Sequence, residues 1–234
     1  MKAFSGAVLA LVLLASVPRN AGADTIYVTD NLTYPFGTSA TGGGPYMATT
    51  SGSLLGSRTF VTFGLEYNEP VTRGVTYEFV LSDNAFHGGV NGAVGDPVQN
   101  KTKWLYYQIA SGAYAAWGSS GPATNTDTFG SSVQQAIWYF EGERKQSQID
   151  DGAKEVVDYV TGRFSEWTLL EAQGHHVLAL NLTAPQGCVG ASCEQIRDQL
   201  AYAYYVPAPE PASMILFGSG LVAVAGLARR RWRK

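Results

Sequence analysis

The chain of 234 residues carries 16 basic and 19 acidic residues, a formal charge of −3, with 45% hydrophobic and 12% aromatic residues. Lys2, Arg19 and the C-terminal cluster Arg229, Arg230, Arg231, Arg233 and Lys234 hold seven of the cations, which leaves 9 basic against 19 acidic residues between Asp24 and Glu210. So acidic an interior repels polyanions, and this excludes nucleic acid and anionic lipid surfaces as its partners.

In chain order, Lys2 followed by the apolar run Ala7 to Ala15 and the small-residue triplet Ala21-Gly22-Ala23 predicts a signal peptide over residues 1–23, cut by signal peptidase between Ala23 and Asp24. An N-terminal membrane helix is the alternative, but the apolar run is short and ends in Pro18, Arg19 and Asn20. What remains, residues 24–206, is long enough for one domain with its own core.

Ile26 to Val28 could open a sheet, and Pro35 to Gly56, rich in Gly, Ser and Thr, reads as loop or edge structure. Phe60 to Tyr67 reads as a strand although Gly64 interrupts it, and Asn68 to Gly74 suits a hairpin turn into a second strand, Val75 to Leu81. Asn84 to Pro97 is glycine-rich and predicts a surface loop. Lys103 to Ala110 fits helix or strand equally. Thr126 to Glu143 predicts a helix capped by Thr126 or Asp127, with Val133, Ile137 and Phe140 at helical spacing. Gln148 to Phe164 predicts another, whose stripe of Val156, Tyr159, Val160 and Phe164 reads as core. Late strands are expected at His176 to Leu182 and Gln199 to Val206. The expected class is α+β: a β-rich, sandwich or barrel-like exported domain with two or three helices, whose last strand can lie beside an early one.

Cys188 and Cys193 are the only cysteines, and in an oxidising compartment their close spacing favours a local disulfide. A zinc pair is the rival reading, but His87, His175 and His176 lack ligand spacing, so no metal and no cofactor are expected.

The C-terminus carries Pro209-Glu210-Pro211, then the uncharged stretch 212–228, then the basic tail Arg229 to Lys234. Residues 212–228 are just long enough to span a bilayer as a helix, and the basic cluster keeps the end cytoplasmic. Residues 207–234 in this order resemble the PEP-CTERM sorting signal. The resemblance implies processing by an exosortase in a Gram-negative cell that makes exopolysaccharide. It also implies transient anchoring in the inner membrane, followed by release to the cell surface or extracellular matrix. A plain C-terminal anchor would predict similar localisation without processing.

A second resemblance lies in the domain. Val133, Gln134, Gln135, Ala136, Ile137 and Trp138 are similar to the glutamine motif of Cys–Gln thioester surface domains. In that family a cysteine on an earlier strand attacks the glutamine carboxamide. The segment Phe60, Thr62, Phe63, Gly64, Leu65, Glu66 aligns with the cysteine-bearing strand, and Gly64 occupies the cysteine position. Glycine has no nucleophile, so the resemblance implies a degenerate thioester-type domain marked by Gly64 and Gln134. The ordinary alternative is that Gln134 is structural, satisfying backbone groups.

These readings point to a structural or adhesive protein of exopolysaccharide or biofilm. A carbohydrate-binding module using exposed aromatics, Tyr106, Tyr107, Tyr114 and Trp117, is the alternative. Enzymatic activity is not expected: Glu66, Glu69, Glu141 and Glu143 could serve a glycosidase, but nothing singles them out, and no G-x-S-x-G elbow lies near a histidine.

Overall fold

A computed structural model describes residues 24–30, 36, 44–52, 54–67, 69, 71–86, 95–118, 121–185 and 197–204. Strands β1 (Thr25–Thr29), β2 (Tyr46–Ser51), β3 (Arg58–Thr62), β4 (Val75–Ser82), β7 (His175–Pro185) and β8 (Arg197–Tyr204) form one sheet in the order β3-β2-β1-β4-β7-β8. All of its neighbouring strands pair antiparallel. The short strands β5 (Asn84–Ala85) and β6 (Asp96–Pro97) form a separate hairpin. Four helices, α1 (Asn100–Ala110), α2 (Phe129–Phe140), α3 (Asp151–Thr161) and α4 (Trp167–Ala172), fill the stretch between β6 and β7.

The sheet curls until its ends nearly meet. Past the end of β3, Gly64 bridges Gln199 of β8, the Leu65 N–H donates to the Asp198 carbonyl at 2.9 Å, and the Leu200 N–H donates to the Phe63 carbonyl at 3.0 Å. The last strand therefore lies beside an early one, and the mixed α/β fold is a nearly closed barrel with its helices on one side.

Strand alternation accounts for two cores. In β1, Ile26 and Val28 point into the barrel while Tyr27 points out. They meet Tyr46, Ala48, Tyr77, Phe79, Leu180 and Leu182 in the lumen. On the other face, Phe63, Leu65, Val177, Ala179 and Leu200 pack against the helices through Leu105, Val133, Ile137 and Val156. β7 supplies both cores, so it reads as a run of apolar residues rather than an alternation.

Several expectations need correction. The loop expected over Pro35 to Gly56 contains strand β2, whose Tyr46-Met47-Ala48-Thr49-Thr50 run alternates inward and outward. Among the described residues there are four helices rather than two or three. Lys103 to Ala110 belongs to helix α1, which begins at Asn100, and α4 was not foreseen. Helix α2 starts at Phe129, with Thr128 at its N-cap and no side-chain cap bond, so neither Thr126 nor Asp127 caps it. It stops at Phe140 because Gly142 turns the chain at φ +83°. The second helix is shorter than predicted, spanning Asp151 to Thr161, since the Asp150 carboxylate accepts the Ala153 N–H at 2.7 Å and fixes its start. The glycine-rich stretch 84–97 contributes β5 and β6. Among the described residues no helix is long and apolar enough to cross a membrane. The expected span 212–228 and the signal peptide lie outside them.

Candidate functional site

Gly64 and Gln134, 70 positions apart, meet in the buried layer between sheet and helices. The Gly64 N–H donates to Gln134 Oε1 at 2.9 Å, and Gln134 Nε2 donates to the Gly64 carbonyl at 2.8 Å. Strand geometry explains why the carboxamide fits. Phe63 and Leu65 turn their backbone groups towards β8, so Gly64, of opposite parity, turns its own towards the β2 side. Tyr46 pairs with Thr62 there, and continuing that register would bring Gly44 opposite Gly64. Instead the chain bends away at Gly44, where φ is +125°, and the Gln134 amide takes the place of the missing strand residue. A Cβ at position 44 would lie 2.7 Å from Gln134 Oε1, so glycine is required there twice over. Gly64 itself is not among the glycines at positive φ, and its backbone would accept an L side chain.

Helix α2 delivers Gln134 to this point because its start is pressed close to the chain before β2. A Cβ on Gly130 would lie 2.6 Å from the Phe36 carbonyl and 2.7 Å from Pro45. Val133 and Ile137 bury the adjoining face, while Gln135 points elsewhere, clasping Asp150: its Nε2 donates to Asp150 Oδ2 at 2.6 Å and its Oε1 accepts the Asp150 N–H at 3.0 Å.

One turn further along, the same layer holds an acid cluster. Glu66, 3% exposed, shares a hydrogen bond with Glu143, whose Oε2 also accepts the Tyr67 N–H at 3.3 Å. Burial, then the charges of Glu143, Asp198 and Glu69, push the Glu66 carboxyl up to about 9, so at neutral pH it is protonated and can donate to Glu143. Tyr67 stacks edge-on to Trp138 at 4.9 Å, and the Arg144 guanidinium lies 4.2 Å over the Tyr67 ring. Asp198, a part of this cluster, carries no sequence signal; only the closure of β8 onto the Phe63–Leu65 segment brings it in.

Of the four carboxylates considered for glycosidase chemistry, Glu66, Glu69 and Glu143 gather here, while Glu141 does not. Glu141 Oε1 accepts the Gln99 N–H at 3.2 Å at the start of α1. Burial raises its carboxyl to about 7 against the opposing hydrogen bonds from Thr102 and Gln99. Glu66, Glu141 and Glu143 are all buried. A cavity of about 670 Å³ lies instead between α1 and α2, lined by residues such as Lys101, Tyr139 and Phe164. Among the described residues no group of three metal-ligating side chains is positioned to hold a metal.

Of the aromatics expected to face a sugar, two are core residues and two are partly buried against the core. Tyr106 is fully buried, and Trp117, 5% exposed, stacks on Trp104 and lies tilted against Tyr159. Tyr107 is half-buried against Trp167, His175 and Tyr202, and Tyr114 packs on Phe36 and Phe129. Burial closes Tyr106 and Trp117 to a sugar, because stacking on one needs an open ring face. Ala23, Cys188, Cys193, Pro209, Glu210, Pro211 and the basic tail lie outside the described residues, among which no disulfide is found.

Comparison with protein families matches residues 207–234 to the PEP-CTERM protein-sorting motif. No curated protein and no solved structure matches the chain. The matched motif marks an exosortase-targeted extracellular protein and implies export and sorting to the cell surface by way of a membrane anchor.

Proposed function

We propose that this is a non-enzymatic, exosortase-sorted protein of the envelope or extracellular matrix, with a structural or adhesive role in exopolysaccharide or biofilm. Its domain is a thioester-type scaffold in which Gly64 stands where a nucleophile would. The sorting motif at 207–234 supports the first part. The reciprocal pair between Gly64 and Gln134 supports the second, because it sets a strand residue and a glutamine carboxamide in contact with one another and away from water. In this chain the contact is purely structural: the amide completes a strand edge, and no covalent bond forms. Cys188 and Cys193 form a disulfide in the exported protein.

Mass spectrometry of the mature protein from its own cell tests the sorting. The expected mass begins at Asp24 and ends near Pro209 to Pro211; a retained arginine tail would refute processing. The scaffold is tested by Gly64→Cys. The new thiolate should attack the Gln134 carbonyl carbon, forming a C–S bond and expelling ammonia, a loss of about 17 Da. An unchanged mass in a folded variant overturns the thioester-type reading.

A further inference from the structure

The cavity between α1 and α2, about 670 Å³, falls within the roughly 300–1,000 Å³ of small-molecule sites. Its charge runs against that of the domain. Between Asp24 and Glu210 there are 9 basic residues against 19 acidic, yet Lys101 and Lys103 both line the cavity and, among the described residues, no carboxylate does. Two neighbouring acids are engaged elsewhere: Glu141 Oε1 accepts the Gln99 N–H at 3.2 Å, and Glu171 lies 3.8 Å from Lys103 Nζ. Lys103, two positions along the helix from Lys101, points to the other side of α1.

Lys101 differs from its neighbour. Its ammonium lies over the rings of Phe140 and Phe164, 5.5 and 5.3 Å from their centroids, and has no carboxylate partner among the described residues. The negative ring faces fix the cation in place without neutralising it. A half-buried, positioned ammonium with no counterion, on the wall of a cavity, is matched by an anion. Lys101 covers a face of each phenylalanine, which leaves Tyr139, half-buried and set at 60° to Phe140, as the ring open to a ligand. An aromatic face attracts the C–H groups of a sugar, and the Tyr139 hydroxyl and the exposed Asn100 amide can exchange hydrogen bonds with its hydroxyls.

We propose that this cavity binds an acidic sugar, a uronic acid residue of a glycan, with its carboxylate on Lys101 and its ring against Tyr139. The proposal supplies a ligand for the exopolysaccharide role inferred above and rests on that reading. The described wall combines rings with amide, phenol and ammonium groups, and its only aliphatic side chains are Pro97 and Val98. Such a surface suits a ligand hydroxylated at its rim and apolar on its C–H face. A phosphate group fits less well, since it brings up to two negative charges to one unpaired ammonium and no guanidinium fork lines the cavity. The acidity of the domain narrows the ligand further. A polymer charged at every sugar is repelled, so the carboxylates are isolated along the glycan.

The test is calorimetric titration of the full chain, in micelles of a detergent without a sugar headgroup. The probes are a trisaccharide of two glucoses and one glucuronic acid, and the same trisaccharide with its carboxyl reduced to the alcohol. At low salt the acidic form is expected to bind about tenfold more tightly, the effect of one charge-assisted hydrogen bond. Lys101→Gln should abolish that preference by weakening the acidic form alone, and Lys101→Arg should restore it. Tyr139→Leu should weaken both forms alike, by roughly fivefold, as loss of a ring contact would. Unchanged urea midpoints for the two Lys101 variants check that they are folded.

Equal affinity for the two trisaccharides in the parent protein overturns the proposal, as does no binding of either at millimolar concentration. An acidic preference that survives Lys101→Gln also overturns it, because the carboxylate then sits elsewhere. A glutamate-containing tripeptide that binds as tightly as the acidic trisaccharide would make the occupant a protein segment and refute the sugar. The matrix role is read separately, from whether the protein cofractionates with the exopolysaccharide of its own cell. Failed titration beside cofractionation refutes the site and leaves the role standing; an acidic preference without cofractionation refutes the role alone.

Discussion

In the barrel lumen, Ile26, Val28, Tyr77, Phe79, Leu180 and Leu182 fill space with apolar surface that any strand pattern would place there. Between the sheet and α2, by contrast, a glutamine and a group of carboxyls are sealed beside Phe63, Leu65 and Val133. The first region is held by area and shape, the second by pairing of polar groups that water no longer reaches. Burying polar groups costs free energy unless each finds a partner, so the second arrangement is the less forgiving of chemistry and the more forgiving of volume.

Two substitutions of similar size should separate these regimes. Leu180→Ala removes fully buried apolar atoms and leaves a cavity, for an expected loss of about 2–5 kcal/mol in urea denaturation. Gln134→Leu keeps the volume but strands the N–H and C=O of Gly64, for about 2–4 kcal/mol at roughly 1–3 per orphaned group, part of it recoverable by backbone shifts. Restoring volume in the lumen with Leu180→Met should recover most of its loss. No apolar residue at 134 should do the same, and a stable Gln134→Leu protein would show that the amide is not the strand's missing partner.

Glu66 sharpens the contrast through pH. Its folded pKa of about 9 lies above the ordinary 4.5, so the native state holds a proton that the unfolded state releases between those values. Stability from this group is complete below about pH 4.5 and is lost as pH rises towards 9. The proton sits on Glu66, hydrogen-bonded to Glu143 and surrounded by Asp198 from β8 and Glu69, with Arg144 on the neighbouring Tyr67 ring. Chemical denaturation across pH 5 to 9 should show a fall of about 1–3 kcal/mol in the parent protein, well under the limit of ~1.4 kcal/mol per unit. Glu66→Gln keeps a donor towards Glu143 without the titration, and should flatten the fall above pH 7 while leaving the contribution of Glu141, raised to about 7, below it. An unchanged slope above pH 7 would place the proton elsewhere.

How far these regions could be read beforehand follows from the same difference. The lumen strands β1, β4 and β7 announce themselves through alternation or apolar runs, and α2 and α3 through helical spacing. Strand β2 was hidden because Ala48, Thr49 and Thr50 sit in a stretch whose Gly, Ser and Thr content signals a loop, and its inward Tyr46 is decided by neighbours distant in sequence. Helix or strand at Lys103 to Ala110 could not be decided by a short apolar run; packing of Trp104, Leu105 and Ile109 into the helical layer settles it. Gly64 and Gln134 were singled out by motif resemblance and do meet, yet nothing local foretold that Gly44 would clear the space for the amide. Asp198 and the acid cluster depend wholly on barrel closure, which is a property of tertiary pairing rather than of any segment.

The smallest expected effect concerns the link between α2 and α3, at the margin of the polar layer. Asp150 caps α3 through Ala153, and its other oxygen and its N–H are both held by Gln135. Replacing Asp150 with Ala removes the cap and one of the two Gln135 bonds, for about 1 kcal/mol, close to the usual value for an N-cap. Exposure keeps the figure low, since water replaces what the carboxylate gave. Asp150→Asn retains an acceptor for the Ala153 N–H, and Asn caps about as well as Asp, so it should lose only a few tenths. If the Ala variant cost as much as Gln134→Leu, the polar layer would behave as one cooperative network extending through Gln135 to α3, and the sharp boundary between a sealed amide and its solvated neighbour would fail.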